Sequence, residues 1–102
     1  MPGTNSGATT FRLIPGTGQN KTATGTSQAF TAVGAQTYYV RLNCETANVR
    51  FEIGRPGIVA TSTSPLLTTT SGVEYFNCSP GDVVAVVQDT SGGILSIVEC
   101  TH

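Results

Sequence analysis

The sequence predicts an all-β chain: a small antiparallel β-sandwich or jelly-roll-like barrel of about seven to nine strands, preceded by a flexible N-terminal arm. Three observations point there. Thr is the commonest residue, with 17 copies among 102, and Gly follows with 12; the first favours strands and the second marks turns. Apolar residues recur at every second position in several short runs, the period of a strand with one buried face. No window carries a helical apolar stripe with caps. The length suits one domain with a modest core. Its expected limits are residues 11–102, with residues 1–10 as the arm.

Met1 to Thr10 holds Gly, Ser, Thr, Asn and Pro with almost no apolar content, so the arm has nothing to pack. Phe11-Arg12-Leu13-Ile14, ended by Pro15-Gly16, is a short strand candidate. Residues 15–28 contain no apolar side chain larger than Ala and read as a loop or extended linker. Residues 29–33 alternate, with Phe30 and Val33 inward.

Residues 37–54 carry the clearest pattern. Tyr38, Val40, Leu42 and Cys44 share one face; Tyr39, Arg41 and Asn43 share the other. After Glu45-Thr46-Ala47-Asn48, the apolar face resumes with Val49, Phe51 and Ile53, while Arg50 and Glu52 point outward. A hairpin would pair Cys44 with Val49, Leu42 with Phe51 and Val40 with Ile53. That register sets Arg41 opposite Glu52, a favourable cross-strand pair.

Gly54-Arg55-Pro56-Gly57 is a turn, and Ile58-Val59-Ala60 is a brief strand candidate. Further strands are expected at Val73–Asn77, Val83–Gln88 and Ile94–Glu99. Ser79-Pro80-Gly81-Asp82 separates the first two. Asp89-Thr90-Ser91-Gly92-Gly93 has the composition of a hairpin loop between the last two. Val83-Val84-Ala85-Val86-Val87 is continuously apolar. It is either a central strand covered on both faces or a strand whose outer face lies in an interface.

The residue inventory narrows the chemistry. Five Lys and Arg against six Asp and Glu give a net charge of -1, with only 11% of residues charged. Phosphate tracking needs clustered cations, so no nucleic-acid partner is expected. No run approaches the roughly 18 apolar residues of a membrane helix, and no membrane partner is expected. The opening residues lack the basic start and apolar run of a secretory signal. The expectation is a protein made and kept in a cytoplasm, or exported by another route. Cys44, Cys78 and Cys100 are odd in number and form no CxxC pair, so zinc is not expected. Reduced thiols serving as small buried hydrophobes are favoured over one disulfide plus a spare thiol.

No enzyme and no cofactor are expected. The one histidine, His102, ends the sequence, where it is poorly held for general-base work. Glu45, Glu52, Glu74, Asp82, Asp89 and Glu99 fall mostly at turns or on outward strand positions, with no spacing that suggests a glycosidase pair. Asp82, after Pro80-Gly81, reads as turn chemistry. Sugar platforms usually expose aromatic rings, and Trp is absent; Tyr39 is the ring placed outward to stack on a ligand or partner. What this inventory offers is surface for protein contact. With so few charges, a free monomer has few groups to guard its sheet edges.

Several segments together resemble a group of small proteins encoded among the structural genes of tailed bacteriophages. They are Tyr39-Val40-Arg41-Leu42-Asn43 with Val49-Arg50-Phe51-Glu52-Ile53-Gly54, and Ala60-Thr61-Ser62-Thr63-Ser64-Pro65-Leu66-Leu67. They continue in Gly72-Val73-Glu74-Tyr75-Phe76, in Gly81-Asp82 with the following valine run, and in Ser91-Gly92-Gly93-Ile94-Leu95-Ser96-Ile97. The likeness spans residues 37–99 and is one of strands and turns, with no catalytic signature. The close, Glu99-Cys100-Thr101-His102, departs from the group's pattern.

The resemblance implies a compact β-sandwich virion component. The expected role is a capsid decoration, or cement, protein that binds the outside of the phage head and bridges shell subunits. It would be synthesised in the host cytoplasm and end on the virion surface. The alternatives are a tail, collar or fibre-attachment component, or a carbohydrate- or receptor-binding module. Expected partners are the major capsid protein and the chain itself, as a homodimer or homotrimer. Candidate interface residues are Thr4, Asn5, Phe11, Arg12, Tyr39 and Arg41, with the arm and residues 15–28 reaching neighbouring subunits.

Overall fold

A computed structural model describes residues 11–101. The expected arm, including Thr4 and Asn5, and His102 lie outside the described residues. Nine strands are described: β1 (Arg12–Leu13), β2 (Gln19–Thr22), β3 (Gln28–Ala29), β4 (Tyr39–Glu45), β5 (Val49–Gly54), β6 (Leu66–Leu67), β7 (Glu74–Asn77), β8 (Val83–Gln88) and β9 (Ile94–Thr101). They form two antiparallel sheets, and among the described residues there is no helix. Sheet one runs β1-β9-β4-β7, with β2 also pairing with β9; sheet two runs β3-β8-β5-β6.

The pairing has a simple logic. β2 pairs with β9, β3 with β8, β4 with β7 and β5 with β6. This is one long antiparallel hairpin, folded at the β5–β6 connection and then rolled up. Rolling adds the pairs β4·β9 and β5·β8, which complete the two sheets. The result is a β-sandwich with jelly-roll connectivity. Most consecutive strands therefore lie in opposite sheets.

The period-two alternation explains the core. Val40, Leu42 and Cys44 of β4 and Leu95 and Ile97 of β9 are buried against Val49 and Phe51 of β5 and Val84 and Val86 of β8. Phe51 meets Phe76 across the sandwich, ring centroids 5.1 Å apart. Burial of each such side chain contributes about 1.5–3 kcal/mol. Phe30 and Val33 are buried as expected; their N–H groups donate to the Val84 and Asp82 carbonyls.

Several sequence expectations are corrected. β4 and β5 do not pair: they face each other across the core, joined by an arch in which Thr46 adopts φ 76°. Stacking buries the same apolar faces as a hairpin would, so the alternation is equally compatible with both. Arg41 consequently lies opposite Val98 and Tyr75, not Glu52. β8 and β9 are likewise in different sheets, so residues 89–93 form a second arch instead of a hairpin loop. Tyr38, expected inward, is 56% exposed; the interior at that end is closed by buried Thr37 and Glu99. Residues 15–28 contain β2, a polar strand held by backbone pairing to β9. Ile58-Val59-Ala60 is not a strand.

That last segment settles the valine run. β8 lies centrally in sheet two. Val84 and Val86 enter the main core, while Ala85 and Val87 form a second cluster with Ala60 and Ile58. The long β5–β6 connection thus folds back over the outer face of sheet two. Polar links fasten it. Arg50 pairs with Asp89 at 3.0 Å and donates to the Ser64 carbonyl at 2.9 Å. The Ser64 hydroxyl donates to Glu52 at 2.7 Å, and the Ala60 N–H donates to the Ser27 hydroxyl at 2.9 Å.

Candidate functional site: an aromatic sheet face

Sheet one's outer face is only partly covered: Cys100 on it is fully buried and Gly18 lies beside Val98, while Leu13 and Tyr75 stay exposed. Because Val40 and Leu42 point inward, Tyr39, Arg41, Asn43 and Glu45 point outward from β4. Beside them on β7 stand Asn77 and Tyr75; on β9 stand Cys100, Val98, Ser96 and Ile94. Leu13 of β1 lies opposite Cys100 and is 51% exposed. Phe11 lies flat on Tyr75, with centroids 4.5 Å apart and an interplanar angle of 9°, and tilts against Tyr39 at 5.0 Å. Parallel and tilted ring pairs of this kind each add about 0.5–1.5 kcal/mol beyond area burial. Tyr75 stays 43% exposed.

Three of the sequence candidates thus meet on one face: Phe11, Tyr39 and Arg41. Arg12 does not join them. It is opposite Thr101, and neighbouring strand residues point to opposite sides. Tyr75 and Leu13 are members that the sequence reading missed. Tyr75 alternates with Phe76 in the sequence, which marks it as outward, but only the β4·β7 pairing sets it beside Arg41.

Several carboxylates elsewhere serve the chain's own architecture. Asp82 accepts from the Ser79 N–H at 2.8 Å in a turn where Gly81 has φ 82°, the turn role expected from sequence. Glu99 is buried and accepts from the Thr37 hydroxyl at 2.6 Å and the Gly34 N–H at 3.0 Å. Its own N–H donates to the Thr17 hydroxyl, and its carbonyl accepts from the Ile14 N–H. One residue therefore ties together three segments. A shallow cleft of about 580 Å³ is lined by Gly54–Pro56 and Ser79–Asp82, and a smaller one of about 340 Å³ lies beside Val87–Asp89. Among the described residues no group of three or more His, Cys, Asp or Glu side chains is placed to hold a metal ion, and no helix is long and apolar enough to cross a membrane.

The three cysteines are free thiols, with Cys44 and Cys100 buried and Cys78 half-buried. Burial raises all three above their ordinary value. Cys78 is pushed up to about 11, first by burial and then by the negative charges of Asp82 and Glu99 and by Cys100. The folded state thus favours the protonated thiols. That contribution is intact below the ordinary value of 9.0 and is lost as pH rises toward about 11. Urea melts are expected to show stability falling over this window. Thiol reagents at about pH 8 should label the native chain slowly, since the thiolate is the reactive form. Labelling of the native chain as fast as that of the urea-unfolded chain would contradict this placement.

No family model, no curated protein and no solved structure matches this chain.

Proposed function

We propose that the chain is a virion structural protein that decorates the outside of a phage head and stabilises the shell by bridging its subunits. One observation carries the reading: among the described residues the chain's own loop covers the outer face of sheet two, while on sheet one Tyr75 and Leu13 stay exposed. A domain built this way offers protein contact and no reaction chemistry. The strand-and-turn likeness over residues 37–99 supports the same reading. So does the jelly roll, an architecture used by viral capsid domains, although a fold alone does not assign a role.

The mechanism is binding linkage. A small domain that recognises a seam present only in the assembled shell stabilises that shell by mass action. Repetition over a symmetric surface turns weak single contacts into strong retention. The chain acts as no enzyme in this scheme and needs no cofactor.

Quantitative mass spectrometry of purified particles tests the proposal. The expected result is a copy number comparable with that of the major capsid protein, with loss of the chain lowering the shell's resistance to heat. A few copies per particle would transfer the role to tail, collar or fibre. Absence from particles would end the virion reading.

A further inference from the structure

The outer face of sheet one carries two formal charges among its described strand positions, Arg41 and Glu45, both on β4. Neither forms an ion pair within the described chain, where the one salt bridge is Arg50–Asp89. They stand four residues apart on an extended strand, about 14 Å, too far to pair with each other. Asn43 lies midway between them. Consider a two-fold axis in the plane of the face, running across β4 at Asn43. It lays β4 antiparallel over its copy and brings each Arg41 over the other chain's Glu45. Two equivalent ion pairs result, as an isologous contact requires.

The neighbouring strands obey the same register. Val98 lies level with Arg41, and Ile94 level with Glu45. The axis therefore sets Val98 of each copy against Ile94 of the other. Ser96, level with Asn43, meets its own copy at the axis. Charge and apolar positions thus agree on one arrangement. Any foreign partner would have to supply both a carboxylate and a cation at this spacing.

We infer that this face is a self-complementary docking surface, and that its occupant is a second copy of the chain, held by reciprocal Arg41–Glu45 pairs. The inference gives this face to a second copy, so the shell contact of the proposal above would fall on other surfaces of the dimer, and the test below does not depend on that proposal. β4 and β9 are about 25 Å long, but β2 and β7 have four residues each and β1 has two, so strands about 4.8 Å apart give a face of about 400 Å². Two such faces bury about 800 Å², in the range of weak and transient contacts. A weak dimer follows, with a Kd on the order of hundreds of micromolar.

Sedimentation equilibrium of the full chain from about 1 µM to about 1 mM tests it. The expected result is a monomer–dimer equilibrium. Arg41→Glu and Glu45→Arg should each weaken it by about tenfold or more, because each sets like charges together twice. The double variant carrying both reversals should return to within about threefold of the original, since the pairs re-form with their signs exchanged. Raising NaCl from about 0.05 to about 0.5 M should weaken the unmodified dimer several-fold, a readout that depends on no variant folding. A chain still monomeric at about 1 mM would overturn the inference and leave the face to a foreign protein. A dimer indifferent to salt and to both reversals would overturn it too, as would a double variant no tighter than the single ones.

Discussion

Gly93→Ala is expected to destabilise the protein by about 3 kcal/mol or more. A Cβ at Gly93 would lie 2.1 Å from the Ala47 carbonyl oxygen and 3.0 Å from Val49 Cγ1. The obstacle is backbone, and it cannot rotate away as a flexible side chain would. The reason lies in the roll. Residues 45–49 and 89–93 are the two arches that carry the chain between sheets, and rolling presses them together at one end of the sandwich. The Gly93 carbonyl also accepts from the Ala23 N–H at 2.7 Å, so a third segment fixes the site. Thermal melts followed by circular dichroism should show a fall on the order of 15 °C. Gly18→Ala is the control: its Cβ would meet only Val98 Cγ2, at 3.9 Å, and its melt should move by a few degrees at most. A near-neutral Gly93→Ala would mean that the two arches are not in contact.

Glu99→Ala is expected to cost about 3 kcal/mol. The substitution removes the acceptor shared by the Thr37 hydroxyl and the Gly34 N–H, and it strands the buried Thr37 donor. Hydrogen bonds to a carboxylate are worth roughly twice those between neutral groups. Glu99→Gln keeps an acceptor oxygen in nearly the same place and should cost about half as much. Urea unfolding with both variants checks the ranking; a lower midpoint at constant slope is the expected form. Equal losses for Ala and Gln would show that the two bonds contribute little.

Much of the architecture is legible in the order of the residues. The inward set Val40, Leu42, Cys44, Val49 and Phe51 follows from alternation alone and is buried. The Pro80-Gly81-Asp82 turn follows from residue type. β2 is not legible, because Gln19–Thr22 has no apolar alternation and is recruited by backbone hydrogen bonds to β9. Ile58 to Ala60 looks like a strand because it is short and apolar, yet its partners are Ala85 and Val87 beneath it.

The aromatic face is half legible. Tyr39 and Arg41 are outward by period, but Phe11 reaches them from 28 residues away in the chain, and Tyr75 from 36 residues beyond Tyr39. Local pattern carries no information about such partners. The Arg41–Glu52 pair expected from a hairpin shows the same limit from the other side. Each charge points outward as read, but on opposite sheets.

The sequence by itself determined the alternating inward set of β4 and β5 and the place of the Gly- and Pro-rich turns. These follow from steric rules that act within a few residues. Only the tertiary structure decided which strand lies beside which. A period of two specifies a face and not a neighbour, and adjacent strands bury the same residues whether they pair edge to edge or stack face to face. The choice was made by contacts distant in sequence. Gly93 admits the Ala47 backbone, Glu99 ties three segments, and the loop beneath Ser64 closes over Ala85 and Val87.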